Sequence, residues 1–243
     1  MSLEDLRRSI RPLLNEREPA DALATYYAFY HSDNQTHLAV HQGDNGRATG
    51  YVAISNTGMD LFRPLVTLRL PPGDLKGGHD LISRALPQGS AVILYAPASY
   101  GPLLKALFDI ESDELYRLLV LDQNRFEPII NVLVTQAKSP DGLPRFIIRS
   151  QSDPGQVSAA AGLNWQTRYF AEVSVHTTPD ERRQGWGRSV VAAMINYLIN
   201  NGRTPLYVAG ERNQASLQLA ESSGFRDSGE QMIFAPAIRK NPL

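Results

Sequence analysis

Cysteine is absent from the 243 residues of this chain, so disulfides, a thiolate nucleophile and cysteine-ligated metal are excluded. A strong charge of either sign is also missing, because the formal net charge is only −1 at pH 7. No overall field would therefore draw the protein to nucleic acid or to an anionic membrane. Lysine is scarce, with 4 residues against 20 arginines. A single arginine thus carries little information, and only a local cluster of arginines indicates a site.

Long apolar runs are missing as well, and none approaches the roughly 20 residues that a membrane-spanning helix needs. The start of the chain is charged and lacks the apolar core of a signal peptide. We therefore expect a cytoplasmic protein with no membrane and no nucleic-acid partner. The length fits two compact units of roughly 100–150 residues each.

The first half of the chain has the patterns of a mixed α/β unit. Helical spacing of apolar residues comes first, and two alternating segments around a Gly-Asp-Asn-Gly turn predict a hairpin. The later segments predict strand, helix, strand, helix and strand in that order. The predicted segments are a helical region at 3–30 divided by Pro19, strands at 37–41, 48–54, 65–70, 91–95 and 115–121, and helices at 80–86 and 102–108.

The second half repeats this order of elements. Its predicted segments are strands at 146–149, 157–163, 170–177, 206–209 and 225–234, a helix at 187–200, and a helix from its N-cap Asn213 through 222. Residues 128–134 are typical of a connector, and the polar stretch 138–142 is the expected boundary. We expect two domains, 1–135 and 136–243, of which the first is a degenerate copy of the second.

The most informative segment is Arg-Arg-Gln-Gly-Trp-Gly at 182–187, between a strand-like run and a helical one. Glycines permit positive φ angles and a close approach of the backbone to a ligand. The first-turn N–H groups of a helix have no intrahelical partner, and the helix dipole favours negative charge there. Three arginines flank the glycines, at Arg182, Arg183 and Arg188. The segment predicts an anion site, although a glycine turn before a helix can also be purely structural.

Two motifs in this half together resemble those of the GNAT superfamily of N-acetyltransferases, which bind acetyl-CoA. The first is R-x-x-G-x-G at 182–187, preceded by T-x-P at 177–179. The second is N-x-x-S-x-x-L at 213–219, followed by G-F at 224–225. It matches the second family signature except at Ala220, where the family has a tyrosine.

The resemblance implies an α/β (α+β) fold of tandem GNAT-like units, each with a mixed, mostly antiparallel central sheet flanked by helices. It also implies that the fourth and fifth strands splay apart, so that the pantetheine of CoA pairs with exposed backbone. Acetyl-CoA would be a co-substrate, and no metal is expected. The cofactor-binding residues implied are Val175, His176, Thr177, Arg182, Arg183, Gln184, Gly185, Trp186, Gly187, Arg188, Ser189, Asn213 and Ser216.

The resemblance implies less about the catalytic groups. A strand glutamate is a common base of the family, which points to Glu172, although its spacing to the arginine motif is one residue off that of the histone-acetylating branch. His176 is an alternative base, since histidine side chains titrate near neutral pH. The methyl group of Ala220 cannot donate a proton. The acid would then be Tyr207, Tyr197 or water, or catalysis is weak or absent.

The function expected from these features is transfer of an acetyl group from acetyl-CoA to a primary amine of an unidentified acceptor, by a monomer or homodimer. The alternative is a CoA- or acyl-CoA-binding sensor or interaction module with little catalysis, and a third reading is a purely structural domain. His37 and His41 have the spacing of a helical zinc pair, but their segment alternates like a strand, so satisfied or exposed histidines are expected there.

Overall fold

The chain folds as two units. A computed structural model describes residues 1–58, 60–112, 114–139, 142–150, 153 and 155–241. The first unit comprises Met1–Tyr116 and Glu230–Leu243, and the second comprises Arg117–Gly229. The expected division into domains 1–135 and 136–243 stays a prediction. Part of the expected boundary, Pro140 and Asp141, lies outside the described residues.

The first unit contains a mixed sheet with helices on both faces. Its strands run in the order β1, β2, β3, β4 and β12, with β5 also paired to β12. Among the described residues of this unit, only β3 and β4 pair in parallel. The elements are α1 (Leu3–Ile10), α2 (Ala22–Thr25), β1 (Thr36–Gln42), β2 (Ala48–Ser55), β3 (Leu65–Arg69), α3 (Leu75–Ala85), β4 (Ala91–Pro97), α4 (Gly101–Leu107), β5 (Phe108–Ile110) and β12 (Phe225–Arg239). Strand β12 belongs to this unit from Glu230 onward.

Alternation along β2 builds two cores in this unit, because successive side chains of a strand point to opposite faces. Val52 packs with α3 and α4 on one face. Tyr51 and Ala53 pack with α1 and α2 on the other. The helical region predicted at 3–30 is divided at residues 14–18, just before Pro19 as expected, and it ends in a π-helical turn at Tyr26–Tyr30. The predicted hairpin is confirmed by the antiparallel pairing of β1 with β2.

The second unit is also a mixed sheet. Its strands run in the order β6, β11, β10, β9, β8 and β7. Only the β10–β11 pair is parallel among the pairings recorded for β7 to β11. The elements are β6 (Leu115–Leu121), β7 (Thr135–Lys138), β8 (Pro144–Arg149), β9 (Val157–Gln166), β10 (Phe170–Thr177), α5 (Trp186–Asn200), β11 (Thr204–Gly210) and α6 (Gln214–Ser222).

Helix α5 anchors the core of the second unit. Its apolar residues recur at helical spacing, and the cluster that they form with the sheet and α6 is buried. Val190, Met194 and Leu198 are fully buried within this cluster. The predicted helix at 187–200 is therefore confirmed, with its start one residue earlier. No helix among the described residues is long and apolar enough to cross a membrane.

Strands β10 and β11 part soon after they meet. Their parallel pairing covers three positions, from Phe170 opposite Thr204 to Glu172 opposite Leu206. Beyond that point β10 continues to Thr177 while paired only with β9. The equivalent parallel pair of the first unit, β3 with β4, also covers three positions. The expected splay of two parallel strands is present in the second unit, where it leaves backbone of β10 open on one side.

Candidate functional site

The loop between β10 and α5 turns sharply at two left-handed residues. Gly185 has φ 77° and precedes α5 as its N-cap. Arg183 has φ 64° and is the sole non-glycine residue with positive φ within the described part of the chain. Such a conformation costs a residue with a Cβ about 1–3 kcal/mol, and strain of this kind clusters at ligand sites.

The start of α5 offers N–H donors to a ligand. The first bond of the helix runs from the Ser189 N–H to the Gly185 carbonyl, at 3.0 Å. The N–H groups of Trp186, Gly187 and Arg188 precede it and have no intrahelical acceptor. The Ser189 N–H is already used within the helix, so the donors at this end are those of the three preceding residues. This end of α5 is thus suited to an anion.

A cavity of about 490 Å³ opens in front of this helix end. Its volume falls within the range of about 300–1,000 Å³ that is typical of small-molecule sites. The residues that line it come from β10, the loop, α5, β11 and α6. They are Val175, Thr177, Glu181, Arg182, Arg183, Gly185, Trp186, Gly187, Arg188, Tyr207, Asn213, Ala215, Ser216 and Leu219.

Most of the residues predicted to bind the cofactor line this cavity, and three do not. The side chain of His176 is exposed and follows Val175 on β10, so it points to the opposite face of the strand. Gln184 donates from Nε2 to Glu181 at 3.3 Å. Ser189 is buried, and its hydroxyl accepts a hydrogen bond from Asn131 at 3.1 Å. Sequence reasoning left Glu181, Tyr207, Ala215 and Leu219 off the list of cofactor-binding residues.

Positive charge dominates the mouth of the cavity. Arg182 donates from Nε to the Thr177 carbonyl at 3.4 Å, which holds its guanidinium beside the end of β10. Arg188 lies 3.6 Å from the exposed carboxylate of Glu127. An exposed ion pair of this kind stabilises a fold by at most about 1 kcal/mol, so the Arg188 guanidinium can exchange this partner for a phosphate.

The start of α6 forms the inner wall of the cavity. The Asn213 side chain caps the helix, because its Oδ1 accepts the Ser216 N–H at 3.1 Å. The hydroxyls of Tyr207 and Ser216 are 2.8 Å apart. Tyr207 follows Leu206, the last residue of β11 that is paired with β10. Its backbone therefore lies where the two strands part, and its side chain lines the cavity.

The environment of Tyr207 keeps its hydroxyl protonated. Burial raises the pKa of Tyr207, the hydrogen bond with Ser216 lowers it, and the nearby charge of Glu172 raises it. Burial outweighs the hydrogen bond, so the net change is upward. At neutral pH the side chain is a phenol that can donate a proton.

Glu172 lies on the other face of β10 from Val175 and Thr177, because side chains alternate along the strand. It is only 7% exposed. Its carboxylate accepts hydrogen bonds from Asn164 Nδ2 and Trp165 Nε1, both at 2.6 Å. Burial raises its pKa, although the two hydrogen bonds oppose the change. The residue does not line the cavity described above.

A bulge beside Glu172 explains how these donors reach it. Glu172 pairs with Trp165, but the next residue, Val173, pairs with Leu163, so Asn164 is an extra residue on β9. An extra residue bends a strand and redirects its side chain. Because the extra residue is in β9, the side chains of β10 still alternate, and Glu172 keeps the face opposite that of Val175.

Neither Ala220 nor Tyr197 lines the cavity. Ala220 is 0% exposed and packs in the core with α5 and the sheet. Tyr197 lies on α5, and its ring packs against Phe146 at 6.0 Å between centroids. Of the two tyrosines considered as proton donors, the cavity is therefore lined by Tyr207 alone.

The corresponding positions of the first unit are filled by its own side chains. The Asp74 carboxylate accepts the Gly77 N–H at 2.8 Å and caps α3. The Tyr100 hydroxyl accepts the N–H of Leu70, just beyond β3, at 3.3 Å. A carboxylate at the helix end repels a phosphate, and a hydroxyl takes the backbone donor that a ligand would need. The segment at residues 72–78, which leads into α3, also lacks the R-x-x-G-x-G spacing.

Of the two histidines of β1, His41 has side-chain partners and His37 faces solvent. His41 Nδ1 is 2.8 Å from the Thr49 hydroxyl, and its Nε2 is 3.9 Å from the Asp74 carboxylate. His37 is exposed. Within the described residues, no group of three or more His, Asp or Glu side chains is arranged to hold a metal ion.

The part of the chain that forms this site matches a known protein family. Residues 152–234 match the family model described as GNAT acetyltransferase. No curated protein matches the chain. The match includes both motifs, which confirms the resemblance drawn from them.

Solved structures share the fold along most of the chain. A tandem GNAT protein from the clavulanic acid biosynthesis pathway is 11% identical with a TM-score of 0.66, over 100% of this chain and 98% of that one. A GCN5-related N-acetyltransferase from Sphaerobacter thermophilus is 12% identical with a TM-score of 0.62, over 100% and 96%. One from Kribbella flavida is 15% identical with a TM-score of 0.60, over 92% and 95%. At such identities the likeness is one of fold.

Proposed function

We propose that the protein transfers an acetyl group directly from acetyl-CoA to a primary amine, since residues 152–234 match the family model described as GNAT acetyltransferase. The observation that carries the proposal is the cavity at the start of α5, where the unbonded first-turn N–H groups meet three arginines beside the parted strands. No residue has to form a covalent intermediate. The predicted cytoplasmic location and the monomeric or dimeric state stay predictions.

In this proposal each part of acetyl-CoA meets a suitable part of the cavity. The N–H groups of Trp186, Gly187 and Arg188 bind the pyrophosphate, and the flanking guanidinium groups add charge-assisted hydrogen bonds. The open backbone of β10 near Val175 pairs with the amide groups of pantetheine. The thioester then lies near Asn213, at the inner wall.

The reaction follows from this placement. The lone pair of a neutral amine attacks the thioester carbonyl carbon and forms the C–N bond. When the tetrahedral intermediate collapses, the electrons of the C–S bond pass to sulfur, and an amide and CoA result. The amine loses its extra proton to a base, for which Glu172 and His176 are the candidates. Raising the pKa of Glu172 by burial brings it closer to the range in which a general base works well.

Calorimetry with acetyl-CoA, followed by thiol release against a panel of amines, tests the proposal. We expect binding, and thiol release with at least one amine. Charge reversal by Arg188→Glu should weaken binding, while Arg168→Glu, which changes an arginine outside the cavity, should not. Absence of acetyl-CoA binding would contradict the proposal. The panel is also needed because neither charge nor motif selects the acceptor.

The burial of Ala220 favours one alternative, a CoA- or acyl-CoA-binding sensor with little catalysis. At 0% exposure this residue supplies neither a proton donor nor a contact to the cavity. A sensor would bind acetyl-CoA in the same calorimetric experiment but release no thiol with any amine of the panel. The two functions are thus separated by turnover and not by affinity.

A further inference from the structure

We propose that Tyr207 is the proton donor to the departing thiolate of CoA, with Ser216 as its positioning residue. This inference rests on the proposed acetyl transfer. The position that supplies a tyrosine in the related family is occupied here by Ala220, inside the core. The proton must therefore come from another element, and the 2.8 Å contact between the Tyr207 and Ser216 hydroxyls provides a donor from β11 held by α6.

The place of Tyr207 in the sheet supports the assignment. It is the first residue of β11 beyond the pairing with β10, so its backbone lies where the gap between the strands begins. Its ring packs against Phe225 at 5.5 Å between centroids, and the side chain is only 3% exposed. Packing on the ring and the hydrogen bond with Ser216 fix the position of the hydroxyl oxygen, and either of the two hydroxyls can be the donor.

The other groups on the cavity wall are poorer proton donors to sulfur. Arginine side chains stay protonated under all ordinary conditions, and the hydroxyl of Thr177 is a far weaker acid than a phenol. The side-chain amide of Asn213 is also a far weaker acid than a phenol, and its oxygen already caps α6. Burial raises the pKa of Tyr207, so the proton is present at neutral pH when the thiolate forms.

The proton balance of the step is complete. As the C–S bond breaks, its electron pair stays on sulfur, and the Tyr207 O–H proton moves to that sulfur to give the free thiol. The tyrosinate then regains a proton from water through the hydroxyl of Ser216, which is partly exposed. The proton lost by the attacking amine balances the one taken up, so one amine and one acetyl-CoA give one amide and one CoA.

The test is the Tyr207→Phe variant, which keeps the buried ring and removes only the hydroxyl. With an amine that the wild-type protein accepts, we expect kcat to fall about 100-fold, because general acid catalysis contributes roughly 10²–10⁴-fold. The acetyl-CoA dissociation constant from calorimetry should change less than about threefold, since the lost interaction acts on the transition state. Tyr197→Phe, on the same unit but outside the cavity, is the matched control and should keep the wild-type kcat.

Ser216→Ala gives a second and milder variant, in case the change at the buried position disturbs folding. It should lower kcat several-fold, because Tyr207 keeps its proton but loses its orienting partner; since Ser216 also lines the cavity, kcat at saturating acetyl-CoA is the quantity to compare. A Tyr207→Phe protein with wild-type kcat would overturn the inference, and so would equal losses in Tyr207→Phe and Tyr197→Phe. Lack of thiol release by the wild-type protein would instead contradict the acetyl transfer itself.

Discussion

Trp165 donates its indole N–H to the carboxylate of Glu172 at 2.6 Å, directly beside the bulge where the pairing of β9 with β10 shifts. Together with the bond from Asn164, it is the main compensation for burying this carboxyl group. Burial nevertheless raises the pKa of this carboxyl group, so its protonation makes the free energy of unfolding depend on pH. It also gives Glu172 a structural role that is independent of any role as a base.

Stability should therefore fall as pH rises through the titration of Glu172. Its pKa is higher in the folded than in the unfolded chain, so the folded protein binds the proton more tightly. The contribution is fully present below the unfolded value of about 4.3 and is lost as pH rises through the folded value. Urea unfolding at a series of pH values should show this fall in the wild-type protein and not in Glu172→Gln. The surface variant Glu221→Gln should retain it, and a fall unchanged in Glu172→Gln would refute the explanation.

Arg183 combines a strained backbone with a charge at the cavity. Arg183→Gly should raise the acetyl-CoA dissociation constant about tenfold, the loss expected for one charged hydrogen bond. The same variant should keep or slightly raise the free energy of unfolding, since glycine adopts φ 64° without strain. Arg183→Lys, which keeps both the charge and the strain, is the control for calorimetry and urea unfolding. If Arg183→Gly bound acetyl-CoA as tightly as the wild-type protein, Arg183 would have no part in binding it.

Helices α3 and α6 each begin at a side-chain cap, and only one of the two caps lines the cavity. Asp74→Ala removes the cap of α3 and Asn213→Ala that of α6, and each should lower the free energy of unfolding by about 1 kcal/mol. Only Asn213→Ala should also weaken acetyl-CoA binding, because Asn213 lines the cavity. Urea unfolding and calorimetry on both variants measure the two effects. Equal affinities would mean that Asn213 is a cap and nothing more.

Gly224 is required by a close backbone approach as well as by its φ of 95°. A Cβ at this position would lie 2.9 Å from the Cα of Phe126. Gly224→Ala should lower the free energy of unfolding by about 2–4 kcal/mol, from left-handed strain plus the clash. Gly229→Ala is the matched control, since Gly229 has φ 82° but nothing within 4 Å, and it should cost about 1–2 kcal/mol. An equal loss of unfolding free energy in the two variants would show that the backbone at Phe126 moves to accommodate the added Cβ.

Sequence patterns predicted the elements with strong periodicity and missed those without it. The strand at Phe170–Thr177 and the cap at Asn213 match the structure, because β-branched alternation and a side-chain cap are local properties. Helix α3 begins earlier than expected, at Leu75, because the Asp74 cap offsets the poor helix propensity of Gly77 and its neighbour. The short strand β5 has three residues and depends on pairing with β12.

The site was predictable where it is made of backbone and less so where it is made of tertiary contacts. The loop motif identified most of the cavity wall, because positive φ and helix-end donors follow from local sequence. Tyr207 could be suggested only as one of two tyrosines, since its pairing with Ser216 depends on how β11 meets α6. The partners of Glu172 depend on a bulge in β9, and no local sequence pattern predicted this bulge.

Strand β12 has a consequence for synthesis of the protein. Its first residues, from Phe225, belong to the second unit, whereas Glu230 onward belongs to the first. The first unit therefore lacks a strand of its own sheet until the second unit has been translated. Until then β4 lacks its β12 neighbour and has an unpaired edge. The first unit therefore cannot complete its sheet before the second unit is made, unlike a chain whose earlier domain folds first.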